Sequence, residues 1–200
     1  DFFIVSNFIN MPEEVKESLY DKDYVIYEHD HKYLKNRNPS VFPDFKAPAH
    51  MIINEKFYRS ARAVFCQSNI HAEVVRKNLS IRNVVNTGCS LWHEPQMATL
   101  RKHADNKKKP VYAIMDSPNS IKGTSEAESY CLQNNIPYEK IPFSEFDEFI
   151  ERLSSYTGLV FFPKTLETFC RVVMEARMVG CKLVTNDWNG CTHEEWFPKY

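Results

Sequence analysis

Glu167 and Glu175 stand eight positions apart in the stretch KTLETFCRVVMEARMVGCKLVT, and the second is set in an otherwise apolar run. Phe169, Val172, Val173, Ala176 and Val179 recur at helical spacing around them, which predicts an amphipathic helix with Gly180 as its C-terminal stop. The run GLVFFP comes just before, so the helix start is expected outside the carboxyl end of a strand. Its unpaired N–H groups, from roughly Phe169 to Arg171, and the positive end of the helix dipole make that start a phosphate site. At about 100° per residue, Thr168 and Glu175 project to nearly the same side, so a ligand lying over the helix start meets both ends of the segment. The implied chemistry is anion binding with carboxylates at hand. The same spacing also fits a plainer account, in which Glu167 complements the dipole and Arg171 pairs with Glu175 on the surface.

Short β-branched and aromatic runs followed by helical patterns recur along the chain: FFIVSN then PEEVKESL, YVIYEHD, INEKFYRSA, AVFCQS then NIHAEVVRKNL, and NVVNTG. The segment HEPQMATLRKHADNKKKP has no apolar period and is basic, and it reads as a linker. The pattern then restarts with VYAIMDS, a helix over TSEAESYCLQNN capped by Thr124 or Ser125, a helix over FSEFDEFIERLSSY capped by Ser144, the strand GLVFFP, the helix of the opening stretch and the strand CKLVTN. Strands alternating with helices predict βαβ units and parallel sheets. The expected class is therefore α/β, with two Rossmann-like domains of about four strands each, residues 1–92 and 110–200, joined by a linker at 93–109.

With 25 basic and 26 acidic residues among 200, the chain has no excess of positive charge for a nucleic acid to read. Its six cysteines include no C-x-x-C pair and fall mostly in apolar runs, which predicts buried free thiols and a reducing, cytoplasmic setting. The opening DFFIVSNF lacks an initiator Met, a basic leader and a long apolar run, so it is read as the start of a fragment with no membrane span.

FFPKTLETFCRVVMEARMVGCKLVTND resembles the signature of the retaining glycosyltransferases with the two-Rossmann (GT-B) fold, in which seven residues separate two glutamates and Glu-Ala-Met-x-x-Gly follows. YVIYEHDHKYLKNRNP resembles that family's first-domain strand ending in His-Asp, RSARAVFCQS a later strand, VVNTGCSLW its Asn-Gly-Val-Asp turn, and SIKGT its diphosphate-holding Lys-Gly. The order of these segments is the family's order. The resemblance implies a nucleotide-diphosphate sugar donor held by Ser117, Lys122, Gly123, Lys164, Thr168, Phe169, Cys170, Arg171 and Glu175, with His29 and Glu167 at the reacting sugar. Glu175 then serves a ribose hydroxyl. Three departures stand out: Ser117 occupies the place of a family Arg five residues before the Lys, and Thr168 and Cys170 replace two glycines. Lys164 or Arg171 is expected to restore the missing charge.

The implied activity is a metal-independent, hexosyltransferase-type transfer with retention to a glycan, lipid or protein acceptor, with Asp30, Lys35 and Arg37 on the acceptor side. The rival reading is a catalytically weak nucleotide-sugar or glycan-binding module, or a fragment that works with a partner chain. Neither cofactor nor metal is expected. Glu28, His29, Asp30 and His31 do not read as a metal cluster, because alternation along a strand end puts His29 and His31 on one face and Asp30 on the other. Asp21-Lys22-Asp23 matches the metal-binding Asp-x-Asp of the other glycosyltransferase fold, but a turn before a strand explains it. Lys32, Lys35, Arg37 and Lys46, interleaved with Tyr33, Phe42 and Phe45, read as a solvated basic loop, and Arg101 to Lys109 as a solvated segment or a contact with an anionic membrane surface. Trp188, in NDWNG, is placed to pack or to cover the donor.

Overall fold

The computed structural model describes residues 1–197. They form two compact units, Asp1–Ser90 with residues 190–197, and Leu91–Asn189. The sequence-based boundaries were 1–92 and 110–200; the chain after Asn189 instead packs with the first unit, and residues 198–200 lie outside the described residues.

The first unit holds β1 (Phe2–Val5), α1 (Glu13–Ser18), β2 (Asp23–Tyr27), α2 (Glu55–Ser60), β3 (Ala63–Cys66), α3 (Asn69–Leu79) and β4 (Val84–Asn86). The sheet runs β1-β2-β3-β4, all parallel, with Val25 opposite Ala63 and Val64 opposite Val84. Helix α3 is capped by Ser68, whose side chain accepts from the His71 N–H at 3.3 Å, and it turns Ala72, Val75 and Leu79 into the core. Aromatic rings fill the other side of that core. Tyr24 stacks on Phe57 at 5.0 Å, Phe8 meets Phe57 edge-on at 5.1 Å, and the Tyr24 hydroxyl donates to the Phe57 carbonyl at 2.6 Å.

The second unit begins with α4 (Glu94–His103), then β5 (Lys109–Asp116), α5 (Thr124–Gln133), β6 (Tyr138–Pro142), α6 (Phe146–Ser154), β7 (Tyr156–Phe161), α7 (Arg171–Met178) and β8 (Lys182–Thr185). The expected linker is thus a helix. Pro95 near its start and a reciprocal capping box between His93 and Gln96 begin it, and Leu100 and His103 are buried. Its stability comes from packing on α6 and α7 rather than from a strong apolar period of its own, which is why the pattern did not announce it. The basic run after it is also structural. The Lys108 ammonium donates to the carbonyls of Ser154 and Val179, where α6 and α7 end, and Lys109 pairs with Glu139 at 2.6 Å. No helix among the described residues is long and apolar enough to cross a membrane.

The second sheet is parallel and runs β6-β5-β7-β8. From β5 the chain crosses through α5 to β6 on one side; from β7 it crosses through α7 to β8 on the other. The strand order therefore reverses between β5 and β7, and a crevice opens outside their carboxyl ends, where open α/β sheets bind ligands. Two caps differ from expectation. Gly123, not Thr124 or Ser125, is the N-cap of α5, and Glu145 replaces Ser144 as N-cap of α6 without a side-chain bond to the helix.

Candidate functional site

The crevice is built by two loops. After β5 comes Ser117–Gly123, and after β7 comes the segment leading to α7. Gly123 fixes how closely the two approach: its φ is +69°, and a Cβ there would lie 1.8 Å from the Phe162 carbonyl oxygen, which no side chain tolerates. Thr124 ties the first loop to its strand, donating its hydroxyl to the Met115 carbonyl at 2.8 Å and accepting the Ser117 N–H at 3.3 Å.

This close approach brings together two residues that lie 45 positions apart in the chain. The Lys122 ammonium meets the Glu167 carboxylate at 2.7 Å, with both side chains only partly exposed. Glu167 is held from behind as well: its N–H donates to the Trp188 carbonyl at 2.9 Å, and it bridges to Asn189. The buried Asn189 amide in turn donates to Thr185 at 2.6 Å and to the Asn186 carbonyl at 3.0 Å, so the NDWNG segment props up the loop that carries Glu167.

Helix α7 starts at Arg171, two residues later than the pattern predicts. The reason is Cys170, which sits at the N-cap with φ 74° and ψ 79°, a left-handed conformation that breaks helical geometry. The backbone thus keeps the shape that glycine favours while carrying a buried thiol. Thr168 lies outside the helix, so the angular argument that paired it with Glu175 does not apply. Phe169 is buried and meets Trp92 edge-on at 6.2 Å.

Glu175 is 6% exposed. The Trp92 indole N–H donates to its Oε1 at 2.9 Å, and Arg171 Nε lies 3.3 Å from the same oxygen. Burial pushes its carboxyl above the usual range, while the indole and the guanidinium pull it back. The Arg171–Glu175 pair has the i,i+4 spacing of a surface pair, but its acidic member is buried. Glu175 also lines a pocket of about 640 Å³ with Ser117, Val172 and the ends of β5 and β6.

Neither expected substitute for the missing cation is uncommitted. Lys164 pairs with Glu126 at 2.5 Å, which holds the Glu126 carboxyl below its usual range, and Arg171 stacks over the Trp92 ring at 5.1 Å and donates to Gln96. Lys122, itself paired with Glu167, stands at the crevice between the two loops.

In the first unit, β2 ends at Tyr27 and the chain then turns, so the expected strand alternation fails. His31 takes φ 48° and is buried beside His71, with ring centroids 4.9 Å apart. His29 is half-buried; burial, then the Lys32 charge, lower its pKa. Glu28 is fully buried and bound to Lys32 at 2.8 Å, to the Tyr58 hydroxyl and to the Asp30 N–H. Asp30 pairs with Arg37 at 2.7 Å, and Lys35 is exposed. The basic loop is therefore not simply solvated: Lys32, Tyr33 and Leu34 are core residues, and Lys46 donates to the Lys77 carbonyl. Asp23, of the Asp-x-Asp, opens β2 and pairs with Arg62 at 3.0 Å. No group of three or more His, Cys, Asp or Glu residues among the described residues is arranged to hold a metal ion.

No family model and no curated protein matches the chain. Similar solved structures include alpha,alpha-trehalose 6-phosphate synthase from Burkholderia multivorans, with TM-score 0.62 at 9% identity over 96% of this chain and 57% of that one. The UDP-forming alpha,alpha-trehalose-phosphate synthase from Burkholderia vietnamiensis gives TM-score 0.60 at 9% identity, covering 96% of this chain and 58% of that one. The pneumococcal O-GlcNAc transferase GtfA, in complex with UDP and GlcNAc, gives 0.55 at 13%, covering 88% and 39%. These are glycosyltransferases with two Rossmann-like domains. The chain has the GT-B fold.

At such identities the likeness is one of fold, and this GT-B chain spans 39% to 58% of the length of those three structures. Sequence reasoning missed Trp92, the hydrogen-bond donor to Glu175. Its segment read as a turn before a linker, and an indole carries no spacing signal toward a carboxylate 83 positions away.

Proposed function

We propose that the chain is a nucleotide-sugar glycosyltransferase of hexosyltransferase type, transferring a sugar with retention from a nucleotide-diphosphate donor to a glycan, lipid or protein acceptor. The observation that carries this reading is the Lys122–Glu167 pair at 2.7 Å where the strand order of the second sheet reverses, beside the pocket lined by Glu175. Lys122 and the first N–H groups of α7 take the diphosphate and stabilise it as it leaves, the work that a divalent ion does in other sites. Glu167 holds the sugar near the cation. Trp92 and Arg171 both reach Oε1 of Glu175, which leaves Oε2 for a ribose hydroxyl. His29 is assigned to turnover and Asp30, Lys35 and Arg37 to the acceptor side; the assigned location is the cytoplasm.

A second reading, a nucleotide-sugar or glycan-binding module with little turnover, is favoured by Ser117 at the crevice and by the engagement of Lys164 and Arg171 elsewhere. Titration calorimetry with nucleoside diphosphates, with and without chelator, tests the shared part. Unchanged affinity in chelator supports metal-free binding, whereas strict Mn²⁺ dependence overturns it. Donor hydrolysis then separates the two readings, because a binding module holds nucleotide without turning the donor over.

A further inference from the structure

The pocket beside Glu175 has a lining that is selective in its chemistry. It opens at the neighbouring ends of β5 and β6, where Asp116 stands opposite Pro142 in the sheet register. Phe143, next in the chain, lines it and is 89% exposed, although Ile141 just before is buried. An aromatic ring left this bare at the mouth of an apolar pocket is a platform for another flat ring.

The polar side chains around that platform all lack a positive or amide donor. They are the hydroxyls of Ser117 and Ser144 and the carboxylates of Asp116, Glu145 and Glu175. Ser144 Oγ is buried without a hydrogen-bond partner among the described residues. Glu145 occupies the N-cap of α6, yet its carboxylate does not cap the helix. Lys140, whose ammonium feels the Asp116 charge, is itself paired with Glu128 at 3.3 Å. The rim thus offers acceptors to whatever lies on Phe143.

Among the nucleobases, guanine presents two adjacent donors, N1–H and the N2 amino group, which match the two oxygens of one carboxylate in a charge-assisted, bidentate contact. Uracil presents two carbonyl acceptors around one N–H, so a carboxylate rim repels most of its edge. Adenine and cytosine present one amino group beside an acceptor. We infer that the donor's base is guanine, stacked on Phe143 with its N1–H and N2 edge on the Asp116–Glu145 rim. This rests on the nucleotide-sugar reading above and names the donor class within it.

Calorimetry with GDP, IDP, UDP and ADP on the full chain tests the inference. GDP binds at least tenfold more tightly than UDP or ADP, and IDP, which lacks the 2-amino group, falls between. Phe143→Ala weakens all four, whereas Asp116→Asn with Glu145→Gln reduces the GDP-to-UDP ratio below threefold, by weakening GDP and by relieving the repulsion of uracil. Circular dichroism and thermal unfolding establish that these rim variants fold. Equal binding of all four nucleotides, tighter binding of UDP, or a ratio that survives the double substitution overturns the base assignment while leaving the nucleotide reading intact. Failure of every nucleotide to bind overturns both.

Discussion

The Lys122 ammonium is 2.7 Å from the Glu167 carboxylate, so the cation assigned to the donor diphosphate already has a carboxylate partner. A diphosphate entering the crevice meets the cation and the carboxylate together. Removing the carboxylate leaves the cation to the phosphates alone. Glu167→Gln should therefore tighten the binding of a bare nucleoside diphosphate severalfold while lowering donor turnover at least tenfold. Because both side chains are partly exposed, the gain shrinks as salt is raised. Calorimetry in low and high salt, beside a hydrolysis assay, checks both halves; weaker diphosphate binding in this variant contradicts the assigned geometry.

Glu175 ties stability to pH. Its folded-state carboxyl is raised by burial, so the folded protein holds that proton more tightly than the unfolded chain. Stability from this group is fully present below the unfolded carboxyl value and is lost as pH rises through the folded one. Thermal unfolding of the wild type should show this loss on going from acid toward neutral pH, and Glu175→Gln, which still accepts from Trp92, should flatten it. Glu175→Ala should in addition weaken nucleotide binding by about 1–3 kcal/mol through a lost ribose hydrogen bond. An unchanged dissociation constant in a folded variant returns Glu175 to a purely structural role.

The two left-handed residues of the crevice respond oppositely to substitution. Gly123→Ala places a Cβ against the Phe162 carbonyl and strains a positive φ, and should cost at least about 2 kcal/mol. Cys170 already bears the strain of φ 74°. Cys170→Gly should accordingly unfold within about 1 kcal/mol of the wild type, whereas β-branched Cys170→Val should lose about 2 kcal/mol or more. Denaturant midpoints decide; equal stability of the glycine and valine variants contradicts a strained backbone at Cys170.

If His29 serves turnover as proposed, His29→Ala should reduce turnover at least tenfold, about 1.4 kcal/mol, with nucleotide affinity retained, because such a role shows in kcat. Its lowered pKa keeps the wild-type imidazole neutral at pH 7, so the acid limb of the rate profile should fall below pH 6.5. Full activity in His29→Ala removes this residue from the site.

The alternation of strands and helices is written locally, because each apolar run with its following helix is a short-range pattern. The sequence also singled out Lys122, Glu167 and Glu175 through their motifs. What those residues touch depends on how distant segments pack. Lys122 reaches Glu167 only because the strand order reverses between β5 and β7 and glycine at 123 lets two loops meet. Glu175 is buried by an indole from a segment whose own pattern was too weak to show a helix, and α4 exists because α6 and α7 pack on it. The late start of α7 follows from one residue, Cys170, held left-handed by its surroundings, a conformation that thiol chemistry does not announce. Glu194 is the clearest case. Its carboxylate accepts the Asn69 N–H at 2.6 Å, fixing the chain after Asn189 on the start of α3. The two residues lie 125 positions apart, and local sequence carries no record of a contact at that separation.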